Sequence, residues 1–459
     1  MKKTVVINVV GLTSALIKNM PFVSKWAEKA KIASIEPVLP AVTCSVQATY
    51  LTGKYPSEHG IVGNGWYFAD ECEVKFWRQS NKLVQAEKIW ETAKKLDANC
   101  TCANLFWWYN MYSSVDYSVT PRPQYRSDGR KIPDCYTQPA ELRDRLQSKL
   151  GTFPLFDFWG PKTTIKSSRW IAEASKLVEE WHSPTLSLIY LPHLDYNFQR
   201  YGTNHPTIPK DLLDIDTLCQ DLITFYEKKG AQVVVLSEYG ITDVQYPIHL
   251  NRVLREAGYL NIREENGLEL LDAGASKAFA VADHQVCHVY INDKNESKKI
   301  QQLLENVQGI ELLLDEEGKK NHHLHHARAG DLVAVADKDS WFTYYYWLDD
   351  RKAPDFARIV DIHKKIGYDP VEMVVNPHIK ALPLVVGWKL LKKKLGFRML
   401  MDLIPLDATL IRGSHGRIPE NEQDRPLIIS KNMDLLKENT IASTQVFDIL
   451  LNHLKGIIL

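Results

Sequence analysis

Long apolar runs, a cysteine framework and a net charge are three things this chain does without. No segment has the uninterrupted hydrophobic length of a bilayer span, so stable membrane insertion is not expected. The seven cysteines are odd in number and scattered, with no Cys-x-x-Cys pair, which excludes a disulfide scaffold and points to a reducing, cytoplasmic setting. Lys+Arg and Asp+Glu are equal at 56 each, so no overall field favours nucleic acid or an anionic surface, and any recognition of phosphate must be local. There is no internal repeat and no low-complexity tract.

What the chain has is bulk and alternation. With 459 residues, 45% of them hydrophobic, it can bury a large core, and a single domain over residues 1–459 is expected. Strand-length apolar runs at Thr4 to Val10, Thr185 to Leu191, Gln232 to Leu236, His288 to Ile291 and Asp331 to Ala336 alternate with helical patterns. The helical stretches include Val84 to Lys95, Arg169 to Trp181 and Leu212 to Lys229. That alternation predicts a mainly parallel α/β sheet covered on both faces, with chemistry at the carboxyl ends of the strands. Met1-Lys2-Lys3 and the apolar run after it superficially suggest a signal peptide, but the β-branched composition favours a buried first strand. Two stretches, 110–161 and 264–324, are expected to be insertions that form a cap.

The densest local pattern is Pro40-Ala41-Val42-Thr43-Cys44-Ser45 followed by Leu51-Thr52-Gly53-Lys54-Tyr55-Pro56-Ser57-Glu58-His59-Gly60-Ile61-Val62-Gly63-Asn64. A hydroxyl at a helix N-terminus sits where backbone N–H groups converge, so Thr43 is placed to attack phosphorus while those groups hold the non-bridging oxygens. The segment resembles the nucleophile motif of the alkaline phosphatase superfamily, and within it the type I phosphodiesterase/nucleotide pyrophosphatase and phosphonoacetate hydrolase branches. The resemblance implies a three-layer α/β/α sandwich of alkaline phosphatase type, with Thr43 as nucleophile and Asn64 beside it holding a phosphoryl oxygen.

Three further segments are similar to that superfamily's metal-binding elements: Asp195-Tyr196-Asn197-Phe198-Gln199, Ser237-Glu238-Tyr239-Gly240 and Ser414-His415-Gly416. With Asn8 at the end of the first strand they imply a ligand set of Asn8, Asp195, Gln199, Glu238, Tyr239 and His415. The family pattern has carboxylate or imidazole at all six positions. Here two amides and a phenol intrude, and only Asp195 and His415 are unchanged. So altered a set suits one divalent ion, Mg, Mn or Ca rather than a zinc pair. The implied function is hydrolysis or transfer at a phosphate ester, phosphodiester or phosphonate. The alternative is a non-catalytic protein of the same fold that binds a small phosphorylated or phosphonate compound.

Other motifs have plainer readings. His322-His323-Leu324-His325-His326 reads as a solvated loop, and the aromatic run Trp341 to Trp347 as a hydrophobic wall. His363 is a candidate extra imidazole for the site. The basic segment Lys389 to Arg398 is amphipathic, which suits contact with a membrane surface, but a solvated helix face is the expected reading.

Overall fold

The computed structural model describes residues 1–127 and 130–456. Its centre is a nine-stranded sheet. The strands run in the order Thr440–Ala442, Lys31–Glu36, Leu427–Ser430, Gln232–Leu236, Thr4–Val9, Leu186–Leu191, Cys102–Leu105, Tyr117–Pro121 and Cys135–Gln138. The first five of the last six, from Gln232–Leu236 to Tyr117–Pro121, pair in parallel, and Leu427–Ser430 and Cys135–Gln138 run antiparallel to their neighbours. Every residue of Thr4–Val9 is buried, as a strand covered on both faces requires. The helices Ile165–His182 and Ile208–Lys228 pack on each other, and Gln445–Lys455 packs on Thr43–Thr52 and Ile89–Leu96, in a three-layer α/β/α arrangement. On Ile165–His182 the buried residues Trp170, Ile171, Ala174 and Val178 recur at helical spacing and form the stripe that meets the sheet.

Two expected strands lie elsewhere. Val286–Ile291 and Leu332–Ala336 belong to a separate four-stranded antiparallel sheet, in the order Ala278–Asp283, Val286–Ile291, Leu332–Ala336, Ile310–Leu314. The cause is local: Asp283 pairs with Val286 across a two-residue turn in which His284 takes φ 61°, and so short a connection reverses the chain. This sheet has its own hydrophobic core, into which the aromatic wall from Trp341 to Trp347 is fully packed. Residues 264–324 supply much of this second sheet. Residues 110–161 supply the edge strands Tyr117–Pro121 and Cys135–Gln138 of the main sheet.

Candidate active site

Strand register brings the first two site residues together. Asn8 lies beside Leu236 in the parallel pair, so Glu238, two residues on, emerges next to it, and Asn8 Nδ2 donates to Glu238 Oε1 at 2.6 Å. Gly240 then carries the chain under the carbonyl of Asp424, where a Cβ would lie 1.8 Å from that oxygen. Gly413 plays the matching part for His415: a Cβ there would lie 2.2 Å from the carbonyl of Phe198, on the helix His193–Tyr201 that carries Asp195.

Thr43 opens the helix Thr43–Thr52, whose N-cap is Val42 with no side-chain cap. Its hydroxyl is therefore not spent on capping. Instead Thr43 Oγ1 lies 3.1 Å from the Tyr239 phenol oxygen, and the phenol in turn donates to Asp195 Oδ1 at 3.4 Å. Since the phenol proton points to the carboxylate, the Thr43 hydroxyl is the donor to Tyr239. Burial pushes the Tyr239 phenol well up, so it is a neutral bridge between Thr43 and Asp195.

Around Asp195 the groups are tightly specified. Gln199 Nε2 donates to Asp195 Oδ2 at 2.9 Å, and Gln199 Oε1 accepts from the Tyr368 hydroxyl at 2.9 Å. Burial raises the Asp195 carboxyl to about 7, against hydrogen bonds from Gln199 and Tyr239 that lower it. His415 is held neutral by burial. Its Nδ1 faces the Ala41 carbonyl at 2.8 Å and must donate there, so Nε2 bears the lone pair. That nitrogen has no hydrogen-bond partner and lies 3.9 Å from Asp195 Oδ1. An open imidazole lone pair beside a carboxylate oxygen, with the other ring nitrogen tied to a carbonyl, fits a single divalent ion.

The Glu238 side is built differently. Gln47, one turn along the helix from Thr43, accepts from the Trp108 backbone N–H at 2.6 Å through Oε1, which obliges its Nε2 to face Glu238 Oε1 in a short hydrogen bond. Two amide donors thus converge on one carboxyl oxygen. Burial raises Glu238 to about 8, so near neutral pH it is largely uncharged. Glu238 Oε2 and Asn8 Oδ1 lack partners, but Glu238 Oε1 is already taken by two amide donors and there is no imidazole among these side chains, so this half suits a second ion less well than the Asp195–His415 half.

Asn64 lies against Cys44, the residue after Thr43. Its Oδ1 accepts from the Cys44 N–H at 3.0 Å, while its backbone N–H and Nδ2 donate to Asp283 at 2.7 and 3.0 Å. Burial lifts Asp283 to about 6 despite those donors. His284, beside it, stacks on Tyr368 at 3.6 Å and lies tilted against His415 at 3.8 Å, and His415 stacks on Tyr239 at 3.6 Å. The site therefore lies where the two cores meet: Tyr239 belongs to one, and Asp283 and His284 end a strand of the other. Thr43 is only 4% exposed.

All eight residues singled out by sequence lie here: Thr43, Tyr239, Asp195, Gln199 and His415 form one group, Asn8 and Glu238 another, and Asn64 contacts Cys44 beside Thr43. Gln199 and Tyr239, expected as ligands, both hydrogen-bond the Asp195 carboxyl. Sequence reasoning passed over Gln47, Asp283, His284 and Tyr368. The four-residue spacing of Thr43 and Gln47 on one helix was a usable signal for the first. His363 instead contacts the Phe76 carbonyl and the Tyr125 ring. The histidine tract divides its contacts among Gly318, Tyr55 and Gln85. Among the described residues, one trio of His and carboxylate side chains lies within mutual ligand reach, His193, Asp211 and Asp214, but Asn197 and Lys210 already engage its carboxylates.

Comparison with known proteins agrees with this architecture. A phosphonoacetate hydrolase from Sinorhizobium meliloti, solved with phosphonoformate, superposes with a TM-score of 0.61 at 14% identity, covering 99% of this chain and 96% of that one. Murine ectonucleotide pyrophosphatase/phosphodiesterase 5, solved as an inactive variant with AMP, gives 0.57 at 14% identity, covering 100% and 96%. In sequence, an uncharacterized pyrophosphatase/phosphodiesterase of Schizosaccharomyces pombe is 25% identical over 215 residues, 45% of this chain and 37% of that protein. An ectonucleotide pyrophosphatase/phosphodiesterase of Caenorhabditis elegans is 26% identical over 149 residues, 31% of this chain and 18% of that protein. The chain thus spans well under half the length of these curated relatives. The family model "Type I phosphodiesterase / nucleotide pyrophosphatase" matches residues 4–369, most of the chain, and the protein belongs to that family.

Proposed function

We propose that this protein cleaves an ester of phosphoric or phosphonic acid, with Thr43 as nucleophile. The observation that carries this reading is the hydrogen-bond chain from Thr43 through the Tyr239 phenol to Asp195. As Thr43 Oγ1 bonds to phosphorus, its proton passes to Tyr239 and the phenol proton passes to Asp195, while the bond from phosphorus to the leaving oxygen breaks. Water then releases the phosphoryl group from Thr43. Burial raises this carboxyl to about 7 in the ion-free chain, which strengthens it as a proton acceptor, and a cation beside it would lower that value again. Asp195 and His415 would hold one divalent ion, which supplies positive charge against the phosphoryl oxygens. Asn64 is fixed by the Cys44 N–H and by Asp283, and the second hydrogen of its Nδ2 would meet a phosphoryl oxygen at the start of the helix. The AMP and phosphonoformate bound by structural neighbours support a small phosphorylated or phosphonate substrate.

The test is release of chromophore from a chromogenic phosphodiester in the presence of Mg, Mn, Ca or Zn, together with elemental analysis. The expected result is ion-dependent turnover that Thr43→Ala abolishes, with no more than one ion per chain, lost in His415→Ala. A second reading, a binding protein without turnover, is favoured by the uncharged Glu238 clasped by Asn8 and Gln47. A folded protein that binds AMP yet turns over nothing with any ion would establish it instead.

A further inference from the structure

Between Tyr368 and His415 the chain makes an excursion. It closes on itself where the Asn376 N–H donates to the Leu403 carbonyl at 2.8 Å, and it carries the helix Leu382–Lys394. No residue of that helix is buried. Leu384, Trp388, Leu391 and Leu395 follow one another at intervals of four, three and four, so they form one stripe, and they are 75%, 57%, 45% and 64% exposed. Seven of the eighteen large apolar side chains exposed among the described residues lie between 384 and 400. Such a concentration on one excursion marks an interaction surface rather than ordinary scatter.

Charge decides what the surface fits. Residues 376–403 hold Lys380, Lys389, Lys392, Lys393, Lys394 and Arg398 against a single acid, Asp402, although the charges of the whole chain balance. Lys389 is paired with Asp402, while Lys392, Lys393, Lys394 and Arg398 are exposed. A second copy of this chain meeting the patch head-on would set like charges together. Between the helix and the returning segment lies a groove of about 520 Å³, lined by Trp388, Met399 and Leu400 together with Lys392 and Arg398. Apolar side chains, a tryptophan and lysines interleaved on one exposed helix suit the boundary between headgroups and acyl chains. Thirteen residues at ~1.5 Å each are too short to cross a bilayer, so the helix would lie in its plane.

We propose that the excursion at 376–403 is a docking element for anionic lipid membranes, with the Leu384–Trp388–Leu391–Leu395 stripe entering the interface and the lysines meeting anionic headgroups. The solvated helix face expected from sequence is thereby replaced by a lipid-facing one. This assignment stands apart from the catalytic reading, since none of these side chains is in the Thr43 site.

The test is co-sedimentation of the full chain with vesicles of phosphatidylcholine alone or of phosphatidylcholine with phosphatidylserine. The expected result is salt-sensitive binding to the anionic vesicles only. Binding should weaken at least about tenfold both in Leu384→Ser/Trp388→Ser/Leu395→Ser and in Lys392→Ser/Lys393→Ser/Lys394→Ser. All six positions are exposed, so unchanged thermal melting certifies the variants. Quenching of wild-type tryptophan emission by brominated acyl chains gives a check that needs no variant. Failure to bind anionic vesicles, equal binding by the variants, or a lipid-independent dimer that the serine variants dissolve would each overturn the proposal.

Discussion

The two halves of the site start from similar material and arrive at opposite electrostatics. Each centres on one buried carboxyl lifted by desolvation, Asp195 to about 7 and Glu238 to about 8. At Asp195 an imidazole lone pair remains open nearby, so an added cation finds two ligands. At Glu238 two amide donors already converge on one oxygen, and the orientation of one of them is locked by the Trp108 backbone. Burial alone thus does not make a metal site. The groups that fill the remaining directions decide whether a carboxyl meets a cation or keeps a proton.

The largest contrast is expected in turnover. Asp195→Asn removes both the proton acceptor and an ion ligand and should lower kcat by about 10³-fold, whereas Glu238→Gln should stay within about tenfold of wild type. Equal losses in steady-state assays would erase the distinction between the halves.

Next comes stability against pH. Below about 4.5 Glu238 is protonated in the folded and the unfolded chain alike. Between there and about pH 8 the folded chain keeps a proton that the unfolded one has released, so this group's contribution falls as pH rises, by an amount on the order of 4 kcal/mol. Glu238→Gln should therefore gain on wild type in thermal melts as pH climbs through this window, and parallel curves would refute the neutral carboxyl.

Tyr239→Phe cuts the relay from Thr43 to Asp195 while leaving the ring on His415. A drop in kcat of about 10²-fold with KM little changed is expected. A rise in KM alone would reassign the phenol to substrate binding. The smallest effect is Gln47→Ala, which leaves the Trp108 N–H and one Glu238 contact unsatisfied and should cost about 1–3 kcal/mol in denaturant titrations.

Much of this was legible in the chain itself. Apolar runs such as Gln232–Leu236 show a strand because both faces are covered, and Thr43, Asp195 and His415 stand in short motifs whose order survives even where neighbours have changed. The second sheet was misplaced because Val286–Ile291, apart from His288, reads as the same kind of apolar run as a parallel strand, and periodicity does not report which partner a strand takes. Asp283, His284 and Tyr368 escaped notice for a related reason. They reach the site from a different core, and nothing local to their own segments refers to Thr43.

That meeting of cores has a kinetic consequence. With Thr43 only 4% exposed, entry of a ligand calls for local opening at this seam, and entry gated in that way would be a unimolecular event. Association rates would then level off at high ligand concentration, and whatever enters would leave no faster than the seam reopens.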